Sequence, residues 1–206
     1  MNTAGYVGLT FDDGPNPAST GRLLETLAEN GATATFFIWG VHAQQNPELL
    51  VSVREAGMAI GNHTYTHPYL TRIGPLAAYD EIERTQQLIQ AITGRTPTLF
   101  RPPYGDTDDQ IRSVAARLGL IETLWTVDTR DWTGAPTEAI VRAASTVAPG
   151  GVILMHDNGS QSTVDAVPLI LRVLADRGLV PGRIVPAENG VAGKNGTGKT
   201  TTVVAP

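Results

Sequence analysis

The first apolar segment of the chain is the stretch at residues 6–15, which has the sequence YVGLTFDDGP. Its first six residues predict a short buried strand, and the Asp-Gly-Pro that closes it is typical of a turn. The carboxylates of Asp12 and Asp13 therefore stand side by side at the C-terminal end of a strand. A solvated turn without a function can contain the same residues, so their meaning depends on the residues at the ends of the other strands.

Strands and helices alternate along the rest of the chain. Apolar residues at helical spacing, often ended by glycine, predict helices, and short apolar runs predict strands. The predicted helices cover residues 17–30, 47–56, 75–93, 107–118, 136–147 and 162–177, and the predicted strands cover residues 6–11, 34–39, 58–61, 98–100, 120–127, 151–155 and 179–185.

Two details of this pattern are specific enough to be checked. Thr107 and Gln110 have the spacing of a capping box, which predicts that they open the helix at 107–118. Proline removes a backbone donor and clashes inside a helix, so the helix at 162–177 is expected to be interrupted near Pro168.

The alternation predicts a parallel α/β architecture, either an open doubly wound sheet or a βα barrel. An open sheet gathers functional residues at one switch point, whereas the C-terminal ends of barrel strands meet around one mouth. Five strands contribute polar residues here, and a barrel mouth accommodates five strands more easily. We therefore predict a deformed, incomplete (β/α) barrel of about seven parallel strands with its active site at the C-terminal face. The polar residues concerned are Asp12, Asp13, His63, His67, Arg101, Asp128 and His156.

Composition excludes several classes of function. The 206 residues, of which 41% are hydrophobic and 17% charged, suit one domain with a sizeable core. A net charge of −5 argues against non-specific binding to nucleic acid or to an anionic membrane surface. No apolar run is long enough to predict a membrane span. Because the chain has no cysteine, any metal must be bound by histidines and carboxylates.

The C-terminal part of the chain differs in composition from the rest. Residues 186–206 are rich in Gly, Thr, Asn and Lys without periodicity, which predicts a flexible, linker-like tail after a domain at 1–185. Residues 193–200, GKNGTGKT, match the phosphate-binding loop pattern. That loop has to open a helix within a βαβ unit, and only TTVVAP comes after it, so nucleotide binding remains a disfavoured alternative.

His63 and His67 are four residues apart, a spacing that presents two imidazoles to one ion if the segment forms a helical turn. The alternative is a pair of loop histidines with structural hydrogen bonds. However, three of the four histidines in the chain follow predicted strands beside carboxylates. Two imidazoles and one carboxylate make the three-ligand set of a hydrolytic zinc site, with an open position for water.

Five segments of the chain resemble the ordered motifs of the polysaccharide deacetylases, carbohydrate esterase family 4. The resemblance spans residues 10–156, and the barrel pattern extends it to about residue 185. It implies a deformed βα barrel that holds one divalent metal, usually zinc, and removes acetyl groups from polymeric sugars. The segments are TFDDGP at 10–15, HTYTH at 63–67, RPPY at 101–104, DTRDW at 128–132 and LMH at 154–156.

The resemblance first assigns roles to the metal ligands and to the residues beside them. It implies that Asp13, His63 and His67 bind the metal, with zinc as the first expectation and cobalt as an alternative. It makes Asp12 the general base. Arg101 would pair with Asp12 and keep it ionised, the alternative being a solvated surface arginine.

The resemblance also implies a proton donor and a carboxylate that orients it. His156 would protonate the leaving group, unless it is only a core histidine. Asp128 would orient and charge His156, with Asp131 as the second choice for that role.

Substrate contacts complete the expected site. The backbone N–H of Tyr104 would stabilise the oxyanion together with the metal. Trp132 and Leu154 would wall the acetyl pocket, although either could simply be a core residue.

The expected function is deacetylation of N-acetylglucosamine oligomers, and of acetylxylan as well, with peptidoglycan as a competing substrate. A non-catalytic carbohydrate-binding barrel is the alternative from another class, but it would need neither Asp12 nor His156. An enzyme for insoluble polysaccharide has to work outside the cytoplasm, so we expect a secreted precursor with this chain as its catalytic part. We expect a monomer, because nothing in the sequence indicates an oligomer.

Overall fold

A computed structural model describes residues 5–186, 193–194 and 200–204 of the chain, with side chains for residues 5–186. Its central strand is β1 (Gly5–Asp12), as the apolar stretch before the two aspartates predicts. Strand β2 (Thr35–Ile38) pairs with one edge of β1. The other edge pairs first with β8 (Leu179–Pro186) and then, beyond Gly8, with β7 (Val152–His156). All of these pairs are parallel.

The sheet curls away from β1 in both directions. Strands β3 (Ala59–Asn62), β4 (Leu99–Phe100) and β5 (Ile121–Glu122) continue it beyond β2, and β6 (Val127–Asp128) continues it beyond β7. Within the described residues no strand pairing joins β5 to β6, so the barrel stays open there. With β5 and β6 counted as the two parts of one predicted strand, the seven-stranded incomplete barrel is confirmed.

The prediction of one continuous strand at 120–127 is wrong, because the strand is interrupted between β5 and β6. The Arg101 guanidinium donates to the carbonyl oxygens of Thr123, at 2.9 Å, and Leu124, at 3.3 Å. A buried side chain thus satisfies backbone acceptors that a continuous strand would have paired with another strand.

Helices cover the outside of the barrel. All six predicted helices are present, with ends that differ from the predicted ones by up to three residues, and two short helices that follow strand ends were not predicted. The described helices are α1 (Thr20–Glu29), α2 (Gly40–Gln45), α3 (Pro47–Glu55), α4 (Leu70–Ile73), α5 (Pro75–Thr93), α6 (Asp109–Arg117), α7 (Thr137–Ala144) and α8 (Gln161–Asp176).

Two details of the helix predictions are corrected. Helix α8 runs through Pro168 without a break, and the core packing of Val164, Val167 and Leu171 on both sides of this exposed proline offsets the hydrogen bond that it cannot donate. Helix α6 is capped by Asp108, whose carboxylate accepts a hydrogen bond from the Ile111 N–H at 2.9 Å. The capping box expected at Thr107 does not form.

Side chains of β1 point alternately to the apolar core and to the barrel interior, where the site lies. Val7, Leu9 and Phe11 are fully buried in the largest apolar cluster, which lies between the sheet and the helices. Successive strand residues point to opposite faces, so Thr10 and Asp12 face the barrel interior. The sheet thus directs one carboxylate of the Asp pair inward at the C-terminal end of its central strand.

The described parts of the C-terminal segment are extended. Strand β9 (Gly193–Lys194) pairs with β10 (Thr200–Val204), which pairs antiparallel with β8. A phosphate-binding loop would have to open a helix, but a strand begins at Thr200. Of the linker-like tail predicted at 186–206, residues 187–192, 195–199 and 205–206 lie outside the described residues.

Among the described helices, none combines the length and the apolar character that a bilayer crossing needs.

Candidate active site

The C-terminal ends of the strands open into one cavity of about 400 Å³. Every predicted site residue except Arg101 lines it, together with Trp125, which the sequence analysis missed. The lining residues are Asp12, Asp13, His63, His67, Tyr104, Trp125, Asp128, Trp132, Leu154 and His156.

Asp13, His63 and His67 bring three potential metal ligands together. The Asp13 Oδ1 atom lies 3.5 Å from His63 Nε2 and 3.3 Å from His67 Nε2, and the two imidazole nitrogens are 3.2 Å apart. Asp13 Oδ1 is buried and has no hydrogen-bond partner among the described residues, as an atom that binds a cation would be. Two imidazoles and one carboxylate around an unpaired oxygen fit a divalent ion such as zinc.

Hydrogen bonds and charges in this cluster orient the His63 ring and keep the Asp13 carboxylate ionised. His63 donates its Nδ1–H to the Arg101 carbonyl oxygen at 2.7 Å, which fixes the ring with Nε2 directed at Asp13. Burial by itself would raise the pKa of Asp13. The neighbouring imidazoles of His63 and His67 outweigh burial and hold this pKa well below its ordinary value, so the carboxylate stays ionised.

A loop, and not a helical turn, brings the two imidazoles together. Thr64 and His67 both have left-handed backbones, with φ of 66° and 63°. The Asn62 side chain accepts from the Thr64 N–H at 2.9 Å, and the Glu81 carboxylate of α5 accepts from the N–H groups of Tyr65 and Thr66. These contacts hold the loop in a left-handed backbone conformation that residues other than glycine rarely adopt.

Arg101 is fully buried behind the cavity, which excludes the alternative of a solvated surface arginine. Its Nη1 donates to Asp12 Oδ1 and to Thr10 Oγ1, each at 2.7 Å. Burial lowers the pKa of Arg101, and the Asp12 carboxylate opposes that shift. The other oxygen, Asp12 Oδ2, lies 3.7 Å from His63 Nε2 and remains available at the cavity.

Asp131, and not Asp128, holds His156. The His156 Nδ1 donates to Asp131 Oδ1 at 2.7 Å, and the His156 backbone N–H donates to Asp131 Oδ2 at 2.8 Å. The Asp128 carboxylate instead accepts from the Arg130 N–H at 2.8 Å. The contact with His156 that the sequence analysis expects of Asp128 is therefore made by Asp131, the second choice. Arg130 has a left-handed backbone, with φ of 55°, directly before a short 3₁₀ turn at Asp131–Thr133, and Asp131 at the start of this turn is buried.

The pair with Asp131 changes the titration of His156. Burial would lower the pKa of the imidazole, but the hydrogen bond and the charge of Asp131 raise it to about 9. His156 is therefore protonated at neutral pH and is not a plain core histidine.

Tyr104, Trp132 and Leu154 surround the open part of the cavity. Tyr104 has a left-handed backbone with φ of 60°, and its backbone N–H donates no hydrogen bond within the described chain. Its ring stacks on Tyr69 with centroids 4.0 Å apart. Trp132 is 58% exposed and Leu154 is buried. This arrangement offers a backbone donor beside a small apolar wall.

The sequence analysis also missed two residues that support the aspartate turn. His42 donates its Nδ1–H to the Asp13 carbonyl oxygen at 2.6 Å. Asp157 is fully buried, accepts hydrogen bonds from Ser19 and Thr20, and has its pKa raised to about 6, mainly by burial. The position of Asp157 directly after His156 is the one sequence signal that could have indicated it.

Comparison with known proteins decides the family. The sequence model of the family described as polysaccharide deacetylase matches residues 2–122. The chain belongs to the polysaccharide deacetylase family. The predicted family is therefore confirmed, and with it, at the level of the family, the prediction of a hydrolytic carbohydrate deacetylase.

Individual members of the polysaccharide deacetylase family show the extent of the similarity. The chain is 44% identical over 90% of its length to a bifunctional xylanase/xylan deacetylase of Cellvibrio japonicus. It is 35% identical over 84% of its length to a chitooligosaccharide deacetylase of Sinorhizobium fredii, of which it covers 87%. A solved structure, the family 4 carbohydrate esterase from Streptomyces lividans in complex with acetate, matches with a TM-score of 0.87 and 48% identity over 98% of both chains.

The polysaccharide deacetylase relatives are mostly longer than this chain. The chain spans 28%, 36% and 64% of the lengths of the first three curated relatives that it matches, and the second and third are named as peptidoglycan deacetylases of Bacillus.

Proposed function

We propose that this chain hydrolyses the acetamide of N-acetylglucosamine oligosaccharides, and acetyl esters of xylan as well, with a divalent ion bound by Asp13, His63 and His67. The observation that carries the proposal is the arrangement around one cavity. Three ligand atoms converge there, and the ion-paired Asp12 and the protonated His156 line the same cavity. Zinc is the first choice, because nitrogen and oxygen ligands in a set of three suit it, and cobalt is the alternative.

The proposed reaction divides proton transfer between two side chains. A divalent ion held by the three ligands would activate water and polarise the acetyl carbonyl. Asp12 is fixed by Arg101 through Oδ1, so Oδ2 is free to take a proton from the attacking water. The products are acetate and an amine, or an alcohol when the substrate is an ester.

His156 supplies the proton that the leaving group needs. Its Nδ1 is occupied by Asp131, which leaves the Nε2–H to donate to the leaving nitrogen or oxygen. With its pKa raised to about 9, the imidazole carries that proton at neutral pH. The free backbone N–H of Tyr104 is the donor that we assign to the developing oxyanion.

The substrate choice rests on similarity and on the open shape of the cavity. The curated relatives act on chitooligosaccharide, xylan and peptidoglycan, according to their names. Trp132 and Tyr104, 58% and 56% exposed, offer aromatic surface to a sugar beside the acetyl position. An acetyl ester is intrinsically easier to cleave, so a site that cleaves the amide also serves acetylxylan. Because these polymers lie outside the cytoplasm, the proposal includes export of the natural precursor.

The test is acetate release from chitooligosaccharides, acetylxylan and peptidoglycan fragments, measured side by side on the zinc-loaded protein. Asp12→Asn is the inactive variant, and Asp109→Asn is the matched control because Asp109 is an exposed carboxylate on α6. We expect release from the first two substrates by the parent and the control only. Release from peptidoglycan alone would overturn the substrate choice, and binding without release from any polymer would favour a carbohydrate-binding barrel.

A further inference from the structure

Residues 39–42, from the end of β2 into the first turn of α2, lie between the two loops that carry the proposed metal ligands. None of the motifs that indicate the family includes this segment, which has the sequence WGVH. It contacts the Asp13–Gly14 turn on one side and the 64–67 loop on the other.

The contacts with the aspartate turn fix an unusual backbone. Asp13 has φ of 74°, a left-handed conformation that a residue with a Cβ rarely adopts. His42 Nδ1 lies 2.6 Å from the Asp13 carbonyl oxygen, and the Trp39 N–H donates to the Gly14 oxygen at 3.0 Å. A carbonyl oxygen can only accept, so the Nδ1 of His42 carries the hydrogen.

The contacts with the histidine loop come from the same four residues. The N–H groups of Gly40 and Val41 donate to the carbonyl oxygens of Thr64, at 2.9 Å, and Tyr65, at 3.1 Å. A Cβ on Gly40 would lie 2.9 Å from the Tyr65 Cα atom, so only glycine permits this approach.

Trp39 connects the two sides through its ring. Its centroid lies 4.3 Å from the His42 ring and 4.8 Å from the ring of the ligand His67. The indole Nε1 is buried and has no hydrogen-bond partner in the part of the chain that the structure describes, so packing between the two imidazoles holds the ring. Asp13 and His67, two ligands with left-handed backbones, are therefore linked through Trp39 and His42.

We propose that residues 39–42 hold Asp13 and His67 in their metal-binding arrangement, and that His42 and Trp39 are positioning residues for the metal. The inference rests on the proposed metal site but not on the deacetylation reaction. Fixed ligands lose less freedom when an ion binds, and residues that orient ligands typically contribute about 10–100-fold in metal affinity. His42 acts through the backbone of Asp13, and Trp39 acts through the ring of His67.

The test is the zinc affinity of the full chain, measured in competition with a chromophoric chelator and without any substrate. His42→Leu removes the donor, whereas His42→Asn keeps an N–H near the position of Nδ1. We expect His42→Leu to weaken zinc binding about tenfold and His42→Asn to recover most of the loss. The cobalt absorption spectrum should change in His42→Leu and match the parent in His42→Asn.

Trp39 is tested with a second pair of variants. Trp39→Phe keeps an aromatic ring against His67 and should bind zinc nearly as the parent does, whereas Trp39→Leu should lose several-fold in affinity. Asn46→Ala is the matched control, because Asn46 directly follows α2 and donates to the His42 carbonyl oxygen at its end, and within the described residues its side chain has no hydrogen bond to either loop. Its zinc affinity should equal that of the parent.

Some outcomes would overturn the inference. Zinc affinity unchanged in both His42→Leu and Trp39→Leu would overturn it, and so would equal losses in His42→Leu, His42→Asn and Asn46→Ala, which would show general destabilisation of α2. A parent chain that binds no zinc would overturn the metal site and this inference together. If the expected order of affinities holds while no polymer releases acetate, only the proposed deacetylation fails.

Discussion

The ligand side of the cavity, formed by Asp13, His63 and His67, and the proton-donor side, formed by His156, are stabilised by different kinds of contact. On the ligand side, three residues with left-handed backbones, Asp13, Thr64 and His67, are held mainly by hydrogen bonds to main-chain atoms and by ring packing. On the donor side, one buried carboxylate, Asp131, accepts four hydrogen bonds, from His156 Nδ1, the N–H groups of His156 and Trp132, and Thr163 Oγ1.

This difference indicates how each side responds to substitution. The ligand side depends on backbone geometry, so changes there should alter metal binding. The donor side depends on one charge, so changes there should alter the pH dependence of the reaction.

The largest expected effect concerns the ion itself. Removal of the metal by a chelator, or the variant Asp13→Ala, should lower acetate release by about a thousandfold or more, because a Lewis acid supplies several kcal/mol to such reactions. Added zinc or cobalt should restore the chelated parent but not Asp13→Ala. Full activity after exhaustive chelation would show that the proposed mechanism is wrong.

The next largest effect separates the base from the ligands. Asp12→Asn should lower kcat by about 10²–10⁴-fold and leave zinc binding intact, because Asp12 is held by Arg101 and is not one of the three ligands. Asparagine keeps an oxygen acceptor for the buried guanidinium, which limits the loss of stability. Zinc content and kcat are measured on the same preparation, and a loss of zinc as large as in Asp13→Ala would place Asp12 among the ligands.

A smaller effect is expected on the donor side, in the pH dependence of kcat. His156 has to be protonated to act as the acid, so kcat should fall as the pH rises through about 9, its raised pKa. Asp131→Asn removes the charge that raises this pKa while burial remains, so the alkaline limb should move to lower pH. At pH 8 we expect a loss of about 10–100-fold, part of the usual contribution of a general acid.

Asp128→Asn is the comparison that sharpens this prediction. Asp128 accepts from the Arg130 N–H and does not contact His156, so its substitution should leave the alkaline limb in place. A shift of the limb in Asp128→Asn and not in Asp131→Asn would contradict the assignment made from the structure.

The smallest effect concerns the support of Asp131. Thr163→Val removes the hydroxyl that donates to Asp131 Oδ2 at 2.9 Å, and it keeps the shape of the side chain. Hydrogen bonds to charged groups contribute about 1.5–3 kcal/mol, so the free energy of unfolding should fall by about that amount. The rate should fall less than in Asp131→Asn, because three donors to Asp131 remain. Denaturant unfolding measures the first effect, and an unchanged unfolding free energy would argue against this hydrogen bond.

The sequence predicted the barrel because its signals are local. The apolar run before Asp12 and the alternation of strands with amphipathic helices are visible without tertiary contacts, and the polar residues after five strands are part of the same pattern. The sequence-based prediction was wrong where a side chain from a distant segment interrupts a strand. The break between β5 and β6 depends on Arg101, which is about twenty residues away and occupies their carbonyl oxygens.

The sequence by itself determined the residue types of the site: a pair of carboxylates after the strand predicted at 6–11, two histidines after the strand predicted at 58–61 and a further histidine after the strand predicted at 151–155. Only the tertiary structure decided that Asp131 and not Asp128 faces His156, because the left-handed Arg130 between them changes the direction of the chain. It also decided that His42 supports Asp13, since that contact joins residues 29 positions apart. Loop dihedral angles and contacts between distant segments have no periodicity in sequence, so residue spacing alone could not indicate them.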